Sequence, residues 1–262
     1  MDRYALFFDI DGTLVSFATH AIPSSAVSAL EAAKAEGHRI YIATGRPMAI
    51  VNNLSQIDHL IDGYITTNGA YSFVGKTTVA VHPIPQADVQ TVLGDAAAND
   101  YPVVVSGMDG CGVWNPKPVF SRLFVEGLGV DANVVSRNVD AVARGIVLEL
   151  TPFVTAEQEE RLMQRLADCQ SARWHPEFCD ITSRHADKGQ ALLAMAQHEG
   201  FAMERTIAFG DGGNDIAMIR TAGIGVAMGN ANEGLKAVAD YVTASVDDDG
   251  VSRALKHFGV IP

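Results

Sequence analysis

Cysteine is scarce in this 262-residue chain. There are three, Cys111, Cys169 and Cys179, with no Cys-x-x-Cys spacing among them. An odd, scattered set argues against a disulfide framework, and free thiols suit a reducing cytoplasm. Basic residues are also in short supply: 19 Lys and Arg stand against 31 Asp and Glu, a net charge of −12. A field of that sign repels nucleic acid and anionic lipid, so neither is an expected partner. It repels phosphate esters too, unless a site carries cations of its own. Long apolar runs are missing as well. The N-terminal run stops at Asp9, before signal-peptide length. Gly12–Leu30 lacks charged carboxylates and amines but holds His20, Pro23 and six Ser or Thr residues, so no membrane span is expected. There is no internal repeat, no low-complexity segment and no sign of a protein partner.

What is present is an ordinary soluble composition, 48% hydrophobic, on a chain long enough for one large domain or two modest ones. Tyr4–Phe8 reads as a buried strand. A helix starting at Pro23-Ser24-Ser25 and stopped by Gly37 follows, and then a strand at Arg39–Ala43, which makes a β-α-β opening. Pro47 suits the first turn of a helix running to about Leu54. Tyr64–Thr67 is a third strand, with a hairpin at Tyr71–Val74 and Thr77–His82. From Pro83 the alternation weakens. A helix at Gln86–Asn99 precedes short strands near Val103–Ser106 and Gly112–Asn115, and an irregular stretch follows Pro116 and Pro118. A strand at Ile146–Leu150, a helix at Ala156–Ala167 and two short strands ending at Thr182 complete a mostly antiparallel module. Regular β-α alternation resumes at Lys188–Glu199 and continues to a last helix near Gly250–Phe258. The expected fold is α/β: a Rossmann-like, doubly wound parallel sheet from residues 1–82 and 184–262, interrupted by an α+β insert at 83–183.

The chemistry concentrates where strands end. Asp9 and Asp11, in Phe-Phe-Asp-Ile-Asp-Gly-Thr, follow the first strand, and residues two apart can share a face. They can therefore converge beyond the strand's C-terminal end, where open α/β sheets place ligands. A solvated turn is the plain alternative. A calcium loop fails, because Gly12 comes too early and the twelfth position is His20 rather than Glu. A second acidic turn, Gly210-Asp211-Gly212-Gly213-Asn214-Asp215, follows the strand Thr206–Phe209. As a dinucleotide motif it is poor, with Asp215 at the sixth position and two carboxylates facing any pyrophosphate. Exposed Asp-Gly turns explain either site alone, but not readily both at strand ends. Two carboxylates about 4 Å apart repel by roughly 4 kcal/mol at an effective dielectric near 20. Such a cluster needs a cation or raised pKa values, and oxygen-only ligands point to a hard ion such as Mg²⁺.

Few positive groups are available to meet a phosphate. Thr44-Gly45-Arg46 sits between a strand and an expected helix, whose free N–H groups favour anions. Lys188 opens another helix. Other candidates have plainer readings. His175, His185 and His198 lack metal spacing, Asp247–Asp249 complement a helix N-terminus, and Met195, Met203, Met218 and Met228 read as core. Trp114, Asn115 and Lys117 lie in the insert, where substrate contact and packing look alike.

Taken in order, the Asp-x-Asp-Gly-Thr, strand-end Thr, Lys and Gly-Asp-Gly-x-Asn-Asp motifs resemble those of the haloacid dehalogenase superfamily of phosphotransferases, over the whole length. The insert's position, Asn68-Gly69-Ala70 and Gly225–Ala231 are similar to its Cof-type (IIB) branch, in which the insert is a C2B cap. The resemblance implies a Mg²⁺-dependent phosphatase of small phosphorylated metabolites. It implies Asp9 as nucleophile, Asp11 as general acid/base with its carbonyl on the metal, and Asp211 as metal ligand, with Asp215 behind it or behind Lys188. Thr44, Lys188 and Asn214 would meet the phosphoryl group, and Gly45, Arg46 and Asn68 are expected beside the substrate. A phosphomutase, or a binding protein on the same fold, is the alternative. An intact acid/base at Asp11 argues against a pure binder.

Overall fold

The computed structural model describes residues 3–127, 130–135 and 137–262. Residues 128, 129 and 136 fall in the stretch expected to be irregular and lie outside the described residues. The chain opens with β1 (Ala5–Phe8), α1 (Ser24–Ala35), β2 (Arg39–Ala43), β3 (Gly63–Thr66), β4 (Tyr71–Val74) and β5 (Thr77–Val81). It continues through α2 (Gln86–Asn99), β6 (Val103–Gly107), β7 (Gly110–Trp114), α3 (Pro118–Phe120), α4 (Val139–Arg144), β8 (Val147–Pro152), α5 (Ala156–Met163), β9 (Cys169–His175) and β10 (Phe178–Ser183). It closes with α6 (Lys188–Glu199), β11 (Thr206–Gly210), α7 (Ile216–Thr221), β12 (Ile224–Ala227), α8 (Glu233–Lys236), β13 (Tyr241–Val242) and α9 (Gly250–His257). No helix among the described residues is long and apolar enough to cross a membrane.

By packing, the chain divides into two units. The first holds residues up to Gly45, Asn52–Val81 and Asp187–Pro262. Its eight-stranded sheet has the order β13-β12-β11-β1-β2-β3-β4-β5, parallel from β13 to β3 and antiparallel at the β4–β5 edge. β1 lies inside the sheet, and all four of its residues are fully buried, as befits a strand covered on both faces. Phe7 and Tyr41 stack toward one face, where Ala191, Leu192 and Met195 of α6 and Met218 and Ile219 of α7 join them. Phe8 stacks on Phe209, two strands side by side presenting alternate residues to the opposite face. Helices α1 and α9 pack against each other, α1 also lying on β2. This is the α/β, Rossmann-like core expected from the alternation.

The second unit holds Arg46–Val51 and His82–Ala186. Its five-stranded sheet, order β7-β6-β8-β10-β9, is antiparallel throughout. One face carries Val103, Val105, Leu150 and Ile181 against Val89 and Val92 of α2 and Leu162 of α5. Val104 and Phe178, on the other, join Phe120, Phe124 and Phe153.

Two expectations fail locally. The helix from Pro47 to Leu54 is only a single 3₁₀ turn, Met48–Ile50, after which Val51 is extended. A β-branched Val followed by two Asn residues, poor helix formers, gives nothing to propagate it. Conversely, the stretch after Pro118 is helical: α3 runs into a π-helical segment, Ser121–Gly127. Phe120 and Phe124 lie four apart, so both reach Phe153.

Candidate active site

β1 and β11 are parallel neighbours, with Phe8 opposite Phe209. From β1 the chain moves to β2 on one side, whereas β11 lies on the other, so a topological switch point falls between them. Asp9 follows β1 and Asp211 follows β11. The Asp9 N–H donates to the Phe209 carbonyl at 3.0 Å, tying the two strand ends together. Gly12 has φ +81°, and a Cβ there would lie 2.2 Å from Asp211 Oδ2. Only glycine lets these two loops approach so closely.

Lys188 is placed by its helix. The Asp187 side chain caps α6 by accepting from the Gln190 N–H at 2.8 Å, which makes Lys188 the first helical residue. Its ammonium is buried, 2.7 Å from Asp9 Oδ1 and 2.6 Å from Asp215 Oδ1. The other oxygen of Asp215 accepts from the N–H groups of Asp211 (3.1 Å) and Gly212 (3.0 Å). Both oxygens of Asp215 therefore accept from protein donors. Asp9, Asp211 and Asp215 each bring a carboxylate oxygen within 4.8 Å of the others.

The electrostatics follow from burial. The Asp9 carboxyl is held well above the usual carboxylate range, first by burial and then by Asp215, against the opposing pull of Lys188. Burial and Asp215 push Asp211 up to about 7, with Lys188 countering and Asp11 adding to the rise. Burial alone would lower the Lys188 ammonium, yet Asp215 and Asp9 leave its pKa raised. One ammonium among several carboxylates does not balance their charge. An oxygen-only donor set with that deficit fits a hard cation such as Mg²⁺.

A second group of expected residues comes together beside Asn214. Thr44, buried just after β2, donates its N–H to the Ile65 carbonyl at 2.8 Å. Its carbonyl accepts from the Asn68 N–H at 3.1 Å. Asn68 is left-handed (φ 54°, ψ 29°), and its Oδ1 accepts from Asn214 Nδ2 at 3.0 Å. Gly45 lies against both amides: a Cβ there would be 3.1 Å from Asn68 Oδ1 and 3.5 Å from Asn214 Nδ2. Arg46 is packed with the second unit and donates from Nη1 to the Ile50 carbonyl at 3.4 Å. Asp11 is half-buried and bridges to Val15.

A profile of the haloacid dehalogenase-like hydrolase family matches residues 6–255. The chain belongs to that family. It is an enzyme of the family's phosphatase kind. A solved structure of the HAD subclass IIB sugar phosphatase BT4131 is 46% identical to this hydrolase. It has a TM-score of 0.89 and covers 98% of this chain and all of its own. The phosphatase BT1666 from Bacteroides thetaiotaomicron is 34% identical, with a TM-score of 0.85, over 99% of this chain and 96% of its own. Among curated relatives, the pyridoxal phosphate phosphatase YbhA of Escherichia coli (strain K12) is 27% identical over 97% of both chains.

Sequence reading missed one participant in this hydrolase's site. Asn230, after β12, donates from Nδ2 to the Gly12 carbonyl at 2.8 Å and reaches Asp211 Oδ2 at 3.5 Å. Its Oδ1 accepts from the Val246 N–H at 2.9 Å. Its signal in the sequence is its place in the Gly225–Ala231 stretch, similar to the Cof-type branch but given no role there.

Proposed function

We propose that this hydrolase removes phosphate from a small phosphorylated metabolite, with Mg²⁺, through a phosphoryl group carried on Asp9. The supporting observation is Asp9 itself: a carboxylate at the end of an interior strand, one oxygen on a buried ammonium, beside Asp211. The relatives' substrate classes point the same way, and a sugar phosphate is the first choice.

In the first step an Asp9 oxygen attacks phosphorus, the bond to the leaving oxygen breaks, and Asp11 gives that oxygen a proton. In the second, water loses a proton to Asp11 and attacks the same phosphorus, and the phosphorus–Asp9 bond breaks. Lys188 offsets the charge of Asp9 as the anionic ester approaches. Thr44, Gly45, Asn68 and Asn214 offer donors and close backbone for phosphoryl oxygens, and Arg46 is a further candidate contact. Asp9, Asp211 and the Asp11 carbonyl would hold Mg²⁺, with Asp215 orienting Asp211 and Lys188 from behind. When bound, that ion supplies positive charge to the transferring phosphoryl oxygens. The insert, residues 83–183, is assigned the choice among substrates, and the setting is the cytoplasm.

A panel of phosphorylated metabolites, assayed for phosphate release with Mg²⁺ and after chelation, tests this reading. Metal-dependent release from one or a few sugar phosphates is expected. Release unaffected by chelation, or none from any ester, would refute it.

A further inference from the structure

The Asn230 amide can be oriented in only one way. Val246 offers it an N–H, which only Oδ1 can accept, and Gly12 offers a carbonyl, to which only Nδ2 can donate. The amide nitrogen is thereby committed to the side of Gly12 and Asp211. The nitrogen donates to the Gly12 carbonyl at 2.8 Å and also lies 3.5 Å from Asp211 Oδ2. The same Gly12 is fixed from its other side, because its N–H donates to the Val15 carbonyl at 2.9 Å. That bond sets the plane of the Asp11–Gly12 peptide and hence the direction of the Asp11 carbonyl. Asn230 therefore touches both loops that bear the proposed metal oxygens, while Val246 holds it from behind.

Resting on the Mg²⁺ reading above, we infer that Asn230 is a positioning residue for the metal site: its amide clamps the Gly12 turn to the Asp211 carboxylate and aims the oxygens of both loops. Asn230 is itself exposed, so its hydrogen bonds compete with water and add little to the stability of the fold. Its contribution lies in the geometry of the oxygens. Outer partners that orient metal ligands are worth about 10–100-fold in metal affinity.

Its neighbour supplies the control. Asn232 caps α8 by accepting from the Leu235 N–H at 2.9 Å and donates to the Asp211 backbone carbonyl at 3.3 Å, leaving the carboxylate alone. The test is isothermal titration of the metal-free full chain with Mg²⁺, together with its melting temperature, for the unaltered protein, Asn230→Ala, Asn230→Leu and Asn232→Ala. Both Asn230 variants, one smaller and one of similar size, are expected to bind Mg²⁺ about tenfold or more weakly, with little change in melting temperature. Asn232→Ala is expected to lower the melting temperature while binding Mg²⁺ within about twofold of the unaltered protein. Mg²⁺ constants unchanged in both Asn230 variants overturn the assignment, and so does an equal weakening in Asn232→Ala. Absence of Mg²⁺ binding by the unaltered protein removes the metal reading and this assignment together, an outcome distinct from the other two.

Discussion

The two units bury carboxyl groups in opposite ways. In the first, Asp9 and Asp215 lie on the Lys188 ammonium, which pulls against the rise that burial and Asp215 impose on Asp9. In the second, Glu149 is buried and Asp180 half-buried, with no cation recorded on either among the described residues. Asp180 accepts from the Thr151 hydroxyl (2.9 Å) and the Trp174 indole N–H (2.7 Å), and Glu149 Oε2 has no partner. Burial raises both, with Asp180 adding to the rise at Glu149. A carboxyl with a cation beside it has a force holding it ionised for attack on phosphorus; one raised by burial with no cation recorded on it lacks that opposing pull. A pair of carboxylates in a sequence therefore says little about chemistry until its counter-charge is known.

The comparison is broken most directly at Lys188. Lys188→Met leaves Asp9 and Asp215 buried without their cation, so a loss of about 3–5 kcal/mol in unfolding free energy is expected. Turnover should fall by about 10³-fold or more, as when a cation on a transferring phosphoryl group is removed. Urea denaturation and steady-state kinetics read the two effects. Asp11→Asn should be milder, about 10²–10⁴-fold in turnover for alkyl phosphates. The loss in the phosphorylation step should be smaller for an activated aryl phosphate, whose leaving group needs little protonation. Equal losses for the two classes in that step would remove Asp11 from the acid role.

Glu149→Gln should do least. A carboxyl whose pKa is higher in the folded than in the unfolded chain holds its proton more firmly when folded. Its contribution is thus fully present below the unfolded value near 4.5 and is lost as pH rises toward the folded value. The variant should flatten that decline and stay within about 1 kcal/mol of the unaltered protein at neutral pH. Urea denaturation at pH 5 and pH 8 checks both points. A large loss at pH 8 would mean that Glu149 is ionised and paired in solution.

Much of this was legible in the sequence. The run ending at Phe8 and the acidic turns after it and after Phe209 announce strand ends, because charge cannot continue into a sheet covered on both faces. Family membership followed from four short motifs in order. What stayed hidden depended on contacts distant in the chain. Pro47 promised a helix that Val51-Asn52-Asn53 did not extend. The segment after Pro118 became helical because Phe120 and Phe124 found Phe153 and, for Phe124, Phe178. Asn230 gained a role only when Gly12, 218 residues earlier, came within 2.8 Å of its amide.

On the proposed mechanism Asp9 carries the phosphoryl group. Rapid-quench mass spectrometry during turnover of Asp11→Asn, in which release of phosphate is slowed, tests it most directly. A peptide containing Asp9 is expected to gain one phosphoryl group within the first turnover and to lose it as substrate is exhausted. Phosphate on any other residue, or product formed with no phosphorylated peptide at any quench time, would contradict it.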